Sequence, residues 1–164
     1  MYYFRNSSPS QNIVSTNVNY NSNILNSNLS ALKKTYPFLD IFSIGISVLG
    51  NPIHCIKLGN GHKEVFYNAA MHANEWITSP LLMKFIEEFC NSYVGNTNIF
   101  GYSAKEIFDD CSIYIVPMCN PDGVDLVTGL INPGTPIYNS AKRIADNYPS
   151  ISFPSGWKSN ISRD

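Results

Sequence analysis

The sequence predicts an α/β fold built on a mixed, largely parallel sheet with helices on both faces. Two observations lead to this prediction. Helical and strand patterns alternate along the 164 residues, as expected where helices connect neighbouring strands. Residues 65–70 form a nearly continuous apolar run, which is typical of a central strand covered on both faces rather than of a half-exposed hairpin.

The first part of the chain predicts one helix and two strands. Leu25, Leu29 and Leu32 recur at helical spacing between residues 22 and 35, and Pro37 ends this surface helix. Residues 41–48 and 52–58 follow as strands around a Gly-Asn turn.

Beyond the apolar run, the pattern predicts an amphipathic helix that packs on the sheet. Its apolar stripe consists of Leu81, Leu82, Phe85, Ile86, Phe89 and Tyr93. Its polar face carries Lys84, Glu87, Glu88 and Asn91. Ser103 and Glu106 then fit a capping box that opens a short helix, and residues 111–118 read as a buried strand.

The C-terminal part of the sequence reads as turns and loops. Residues 120–123, Asn-Pro-Asp-Gly, are typical of a turn that ends a strand. Asp122 and Asp125 are expected to be solvated, as is the basic pair Lys142 and Arg143. Several prolines between residues 128 and 164 predict a loop-like tail.

Composition excludes several classes of protein. A formal net charge of −1 argues against a nucleic-acid or anionic-membrane partner, and no apolar run approaches the roughly 18 residues that span a bilayer. Residues 1–18 are rich in Asn and Ser, without a signal-peptide pattern, so we expect a disordered arm and a cytoplasmic or forespore location rather than secretion. Four cysteines without C-x-x-C spacing favour free, buried thiols.

The apolar run ends in His72 and Glu75, whose spacing places both side chains on one side of a tight turn. Imidazole and carboxylate groups are good zinc ligands, and a hydrolytic zinc site takes three protein ligands and a water. The spacing therefore predicts that His72 and Glu75 are two of the three protein ligands of a zinc ion. For His54 and His62 we expect structural roles, since a lone strand or loop histidine needs no metal.

Two blocks of sequence carry a resemblance to a known family. Residues 67–78, Tyr-Asn-Ala-Ala-Met-His-Ala-Asn-Glu-Trp-Ile-Thr, and residues 116–125, Val-Pro-Met-Cys-Asn-Pro-Asp-Gly-Val-Asp, resemble the zinc carboxypeptidases. Within that family the chain looks most like the bacterial branch that cuts γ-D-glutamyl–diaminopimelate bonds of cell-wall peptides. The resemblance implies a zinc cofactor held by His72 and Glu75, and a peptide substrate.

The same resemblance predicts that residues 19–164 are the N-terminal half of a catalytic domain. The family takes its third zinc ligand, a histidine, and its catalytic glutamate from a later part of the domain, and this sequence ends at Asp164. Asn74 stands where many carboxypeptidases have arginine, and Arg163 is the candidate substitute for an oxyanion-stabilising arginine. We therefore expect weak zinc binding and no activity from the chain alone.

Three interpretations follow from these departures. The chain is part of a peptidase, whose remaining half lies further along or is separately encoded. It is a non-enzymatic remnant or peptide-binding module that keeps the shape of the groove. An unrelated α/β domain with an accidental H-x-x-E pair is the third, and it leaves the matching blocks unexplained.

Overall fold

The computed structural model describes residues 12–161. A four-stranded sheet and a small two-stranded sheet are combined with five α-helices in this part of the chain. The elements are α1 (Ser22–Thr35), β1 (Asp40–Ile46), β2 (Pro52–Leu58), β3 (Lys63–Asn68), α2 (Thr78–Val94), β4 (Asn98–Ile99), β5 (Tyr102–Ser103), α3 (Ala104–Asp110), β6 (Cys111–Val116), α4 (Pro121–Val127) and α5 (Pro136–Ala145). None of the described helices is long and apolar enough to cross a membrane.

The larger sheet has the strand order β1-β2-β6-β3. The predicted mixed α/β class is confirmed, but parallel pairing is confined to β3 and β6, whereas β1–β2 and β2–β6 are antiparallel. The connection lengths explain this difference. A short turn joins β1 to β2 and imposes an antiparallel hairpin, while α2 and α3 provide the long crossover that a parallel pair needs.

The main core lies on one face of the sheet. Ile56, Leu58, Ile113 and Ile115 point to this face and pack with buried side chains of α1, α2 and α3. The side chains of the opposite face join neither apolar cluster within residues 12–161. That face instead carries a surface contact, in which the ammonium of Lys57 lies 5.6 Å from the ring centroid of Tyr114.

Strand β3 is at the edge of the sheet rather than at its centre. It pairs only with β6 within the described residues, and all six of its residues are exposed. Phe66 is 58% exposed and Tyr67 is 48% exposed. The part of the apolar run that lies in β3, residues 65–68, is therefore exposed rather than covered, and it leaves an open sheet edge next to an apolar surface, while Ala69 and Ala70 are buried.

Local signals account for the helix starts. Helix α1 has the predicted bounds, and the side chain of Asn21 accepts a hydrogen bond from the Ile24 N–H. The predicted cap at Ser103 is confirmed, since its hydroxyl accepts from the Glu106 N–H. The Asn-Pro-Asp-Gly turn opens α4 rather than a loop, because Asn120 caps a helix that begins at Pro121. The predicted loop after residue 128 contains α5, with a Thr-Pro start of the same kind.

The buried side of α2 differs from the predicted stripe. Leu81 is 68% exposed, whereas Glu87, placed on the polar face by the pattern, has 0% exposure. The carboxylate of Glu87 accepts hydrogen bonds from the main-chain N–H of Ile13 at 2.6 Å and from Lys84 at 2.8 Å. Residues 12–14, predicted to be part of a disordered arm, instead contact α2, and Val14 is buried. Residues 1–11 lie outside the described part of the chain.

Two carboxylates on α4 are buried, which corrects the prediction that both are solvated. Asp122 is 2% exposed and accepts from the Ser47 hydroxyl at 2.7 Å, the Leu49 N–H at 2.9 Å and the Asn51 amide at 2.8 Å. These three donors satisfy the hydrogen-bonding capacity of the buried carboxylate. The hydrogen bonds hold the β1–β2 turn against α4.

Asp125 fastens a different segment to the same helix. It is 4% exposed and accepts from the main-chain N–H and the hydroxyl of Ser22, at 2.9 and 2.6 Å. Burial raises the pKa of Asp125, while the two hydrogen bonds from Ser22 oppose that rise. The start of α1 is thereby fixed to α4, more than 100 residues away in sequence.

The four cysteines carry free thiols, as predicted. Cys55 and Cys90 are buried and behave as small apolar side chains, while Cys111 and Cys119 are half-buried. Burial raises the pKa of the Cys119 thiol, so this group is less reactive than an exposed cysteine.

We expect Asp122→Ala to lower the free energy of unfolding by about 3 kcal/mol, because three donors lose their buried acceptor. Urea denaturation followed by circular dichroism measures this loss. Asp109→Ala is the matched control, since Asp109 is an exposed carboxylate paired only with Lys105, and it should change stability by less than about 1 kcal/mol. Equal losses in the two variants would contradict the role of Asp122.

Candidate metal centre

The candidate centre lies where β3 ends. After Asn68 the chain runs into a short 3₁₀ helix, Ala73–Glu75, which is preceded directly by His72. Main-chain hydrogen bonds between Ala69 and both Val116 and Cys119 hold this turn against the end of β6. The centre therefore sits at the carboxyl ends of two parallel strands, where open α/β sheets usually place their sites.

His72 and Glu75 are adjacent, as their spacing predicts. The Nδ1 atom of His72 lies 3.2 Å from the Oε2 atom of Glu75, and the two side chains are 51% and 48% exposed. The Glu75 N–H donates to the His72 carbonyl at 3.1 Å, and the Thr78 hydroxyl donates to the Glu75 carbonyl at 2.7 Å. The backbone of the turn is thus fixed while both side chains face solvent.

The geometry of this pair fits two positions of a zinc site. Zinc binds imidazole nitrogen and carboxylate oxygen at about 2.0–2.1 Å, so two donors at a tetrahedral angle lie roughly 3.3 Å apart. The observed separation of 3.2 Å, at which the two side chains contact each other directly, is compatible with this value. Among residues 12–161 no group of three His, Cys, Asp or Glu side chains is close enough to hold a metal ion, so this part of the chain offers no third donor beside the pair.

The other predicted candidates lie elsewhere or have local partners. The Nε2 atom of His54 lies 3.0 Å from Asn26 Oδ1, which links β2 to α1, and burial lowers the pKa of this histidine. His62 is an exposed loop residue. Both observations agree with structural roles. On α5, Lys142 pairs with Asp146 at 2.6 Å. Arg163 lies outside the described residues.

The C-terminal segment, residues 146–161 after α5, supports the turn at residues 69–75, which we call the metal turn. The sequence did not predict these contacts. The Ala73 N–H donates to the carbonyl of Lys158 at 3.0 Å. The side-chain amide of Asn120 donates to the carbonyls of Ser159, at 3.0 Å, and Met71, at 3.4 Å. No local pattern signals these contacts, because each partner is a main-chain carbonyl at least 39 residues from its donor.

Gly123 allows these segments to meet. A Cβ atom at this position would lie 2.7 Å from the Ser159 carbonyl oxygen and 2.8 Å from the Cβ of Ala73. Both distances are far below van der Waals contact, so only glycine fits between the metal turn and the C-terminal segment. The glycine of the Asn-Pro-Asp-Gly motif is therefore a packing requirement of the centre.

A lysine and an apolar cavity adjoin the pair. The Nζ atom of Lys158 lies 3.8 Å from the Oε1 atom of Glu75, and its side chain is 61% exposed. Lys158 also lines a cavity of about 440 Å³ between α5 and the C-terminal segment. The cavity walls are mainly apolar, and the aromatic residues among them are Tyr148, Phe153 and Trp157. A ligand bound at His72 and Glu75 would thus lie near the ammonium of Lys158, a residue that also lines the apolar cavity.

Two buried polar atoms near the centre have no hydrogen-bond partner among the described residues. One is the Oδ1 atom of Asn74, which stands between the two candidate ligands, and the other is the Nε1 atom of Trp157.

Comparison with known proteins gives a consistent result. The model of the zinc carboxypeptidase family matches residues 25–150. The γ-D-glutamyl-L-diamino acid endopeptidase 1 of Lysinibacillus sphaericus is 41% identical over 151 residues, which cover 91% of this chain and 37% of that protein. A zinc carboxypeptidase of Saccharothrix mutabilis subsp. capreolus is 32% identical over 103 residues, covering 62% and 21% respectively. The chain thus spans less than two-fifths of the length of these relatives.

Solved structures show the same fold. The crystal structure of thrombin activatable fibrinolysis inhibitor superimposes with a TM-score of 0.66 at 18% identity, over 92% of this chain and 32% of that one. Carboxypeptidase A from Helicoverpa armigera gives a TM-score of 0.56 at 20% identity, over 67% and 26%. At these identities the agreement concerns the fold alone.

We expect Gly123→Ala to displace the metal turn and to lower the free energy of unfolding by about 2 kcal/mol, because the added methyl group overlaps Ser159 and Ala73. Urea denaturation measures the stability, and the ¹H–¹⁵N spectrum reports the amide of Ala73. Gly45→Ala is the control, since the nearest atom to a Cβ there is 3.9 Å away. An unchanged Ala73 amide in Gly123→Ala would show that the close approach is not required.

Proposed function

The chain belongs to the zinc carboxypeptidase family, and on this basis we propose that His72 and Glu75 are two of the three zinc ligands of a metallopeptidase site. The observation that carries the proposal is the 3.2 Å approach of the imidazole nitrogen and the carboxylate oxygen at the end of β3. A metal with two such ligands needs a third donor, and the sequence holds no other histidine beyond His54 and His62. We therefore propose that the chain alone holds zinc weakly.

The chain's own residues prepare the site for hydrolysis. A zinc ion with an open position lowers the pKa of a bound water to about 7 and polarises the scissile carbonyl. His72 and Glu75 present lone pairs from a backbone that Thr78 and Asn120 hold in place. Their half-exposed side chains leave the site accessible to a peptide. Because residues 12–161 contain no group of three side chains that could hold a metal ion, we propose that the chain is catalytically silent alone.

The proposed substrate is a cell-wall peptide that contains a γ-D-glutamyl–diaminopimelate bond. Support comes from the name of the Lysinibacillus relative, which describes a peptidase acting between a γ-D-glutamyl group and an L-diamino acid. The identity of 41% extends over both sequence blocks that form the centre.

A further segment of polypeptide would complete both the site and the sheet. Strand β3 has an open edge next to the metal pair, and its Phe66 and Tyr67 side chains are exposed. A strand added there would cover apolar surface and reach the centre from the side opposite β6. We propose that this segment, in the same protein or separately encoded, provides the third ligand and the catalytic glutamate.

A peptide-binding module without catalysis is the alternative. It is favoured by the presence of only two clustered ligands in residues 12–161, beside a cavity of about 440 Å³. The two proposals differ in their metal dependence, because a binding module would hold peptide equally well without zinc.

We expect weak zinc binding that depends on His72. Isothermal titration of the purified chain with Zn²⁺ should give an affinity that falls at least about tenfold in His72→Ala, since even groups that only support a ligand have effects of this size. His62→Ala is the control, because His62 is an exposed loop histidine away from the pair. If both variants bind zinc like the wild type, His72 is not a ligand.

We expect the chain to leave L-alanyl-γ-D-glutamyl-diaminopimelate intact in the presence of zinc, and a complex with the remaining part of the Lysinibacillus relative to cleave it. Liquid chromatography with mass spectrometry detects the free diaminopimelate. Glu75→Gln should abolish cleavage by the complex. Zinc-dependent cleavage by the chain alone, lost in His72→Ala, would contradict the proposed silence. A stable complex without cleavage would instead favour the binding module.

A further inference from the structure

Among the lysines that form ion pairs in residues 12–161, Lys158 differs from the others in the carboxylate that it contacts. Lys63, Lys84, Lys105 and Lys142 pair with carboxylates at 3.3 Å or less, and none of those carboxylates is a candidate ligand. The partner of Lys158 is Glu75, at a looser 3.8 Å. At 3.8 Å the two groups form no close hydrogen bond, so this ammonium is available to an anion.

The main chain delivers Lys158 to this position. Its carbonyl accepts from the Ala73 N–H inside the metal turn, and the carbonyl of the next residue, Ser159, accepts from Asn120. The side chain is 61% exposed and lies between the metal pair and the apolar cavity. A cation is thus held at a fixed point beside the proposed scissile bond, while its charged end stays free to contact a ligand.

The chemistry of a γ-glutamyl bond supplies the matching anion. In an α-linked peptide the α-carboxyl group forms the bond, but in a γ-linked glutamyl residue the α-carboxylate remains free and charged. It lies four carbon–carbon bonds from the scissile carbonyl, roughly 5 Å when extended. A substrate whose carbonyl reaches the metal pair would therefore place this carboxylate within reach of a cation 3.8 Å from Glu75.

We infer that Lys158 is a specificity residue that binds the free α-carboxylate of a γ-linked glutamyl group. The inference rests on the proposed function and deepens it, since it assigns the recognition of the free carboxylate to one side chain. Lys158 forms a charge-assisted hydrogen bond to the carboxylate on the side of the centre that faces the cavity. A peptide with no acidic group before the scissile bond has no carboxylate at this distance and forgoes the contact, whereas an α-linked glutamyl residue carries its γ-carboxylate the same four bonds away.

Two probes that differ by one group test the inference. N-acetyl-γ-D-glutamyl-L-lysine and N-acetyl-4-aminobutyryl-L-lysine are the same except that the second lacks the α-carboxylate. Titrations of the ¹⁵N-labelled, zinc-loaded chain, followed at the amides of Lys158 and Ala73, give both affinities. We expect the glutamyl probe to bind about fivefold more tightly, the fold-change of one exposed ion pair, with a preference that falls as salt is added.

Variants connect the preference to Lys158. Lys158→Met, which removes the charge from an exposed side chain, should make the two affinities equal, whereas Lys158→Arg should keep the preference. Lys142→Met is the control, because it removes an equally exposed lysine on α5 and should leave the preference unchanged. The ¹H–¹⁵N spectrum of each variant reports whether the fold is retained.

The outcomes separate this inference from the proposed function. Equal binding of both probes to the wild type, or a preference that survives Lys158→Met, overturns the role of Lys158 and leaves the zinc pair untouched. Absence of binding by either probe also overturns it. Failure of the proposed function appears elsewhere, as zinc binding that does not depend on His72.

Discussion

The structure depends on the need to satisfy buried polar groups on one short helix. Asn120, Asp122 and Asp125 project from the start of α4, and each is less than a tenth exposed. An unpaired carboxylate or amide at such depth costs several kcal/mol, so each must find donors or acceptors in a neighbouring segment. Their partners come from the start of α1, the β1–β2 turn, the end of β3 and the C-terminal segment. One helix of seven residues thereby determines how four distant segments meet.

This arrangement explains the position of the metal pair. Strands β3 and β6 run parallel, so both end at the same edge of the sheet, and α4 follows β6 while the 3₁₀ turn follows β3. Gly123 then brings the two turns into direct contact at Ala73. The position of His72 and Glu75 therefore depends on the packing of Gly123, Ala73 and Asn120, none of which is a candidate ligand.

The sequence was informative where the cause of a structure is local. The bounds of α1, the cap at Ser103 and the proximity of His72 to Glu75 follow from residues three or four apart, and all three appear as predicted. Helix α5 also had a local signal, a threonine followed by proline, which the general loop-like composition of the tail concealed.

Other features could not be read locally because their causes are far away in the chain. Glu87 looked solvated, but the N–H group of Ile13, 74 residues earlier, satisfies it in the core. Asp125 depends in the same way on Ser22. The contact of Lys158 with Glu75 requires the whole path of the C-terminal segment. Each case involves a polar group whose burial was set by a tertiary partner rather than by the pattern around it.

The hydrogen bonds that hold the metal turn are directed to carbonyl oxygens, and this has an evolutionary consequence. Asn120 and Ala73 donate to the main-chain carbonyls of Met71, Lys158 and Ser159. Every amino acid has this carbonyl, whatever its side chain. The side chains at these three positions can therefore change while the hydrogen bonds that hold the turn are kept. The charge beside the centre is free to diverge between lineages, and new substrate preferences can arise on an unchanged frame.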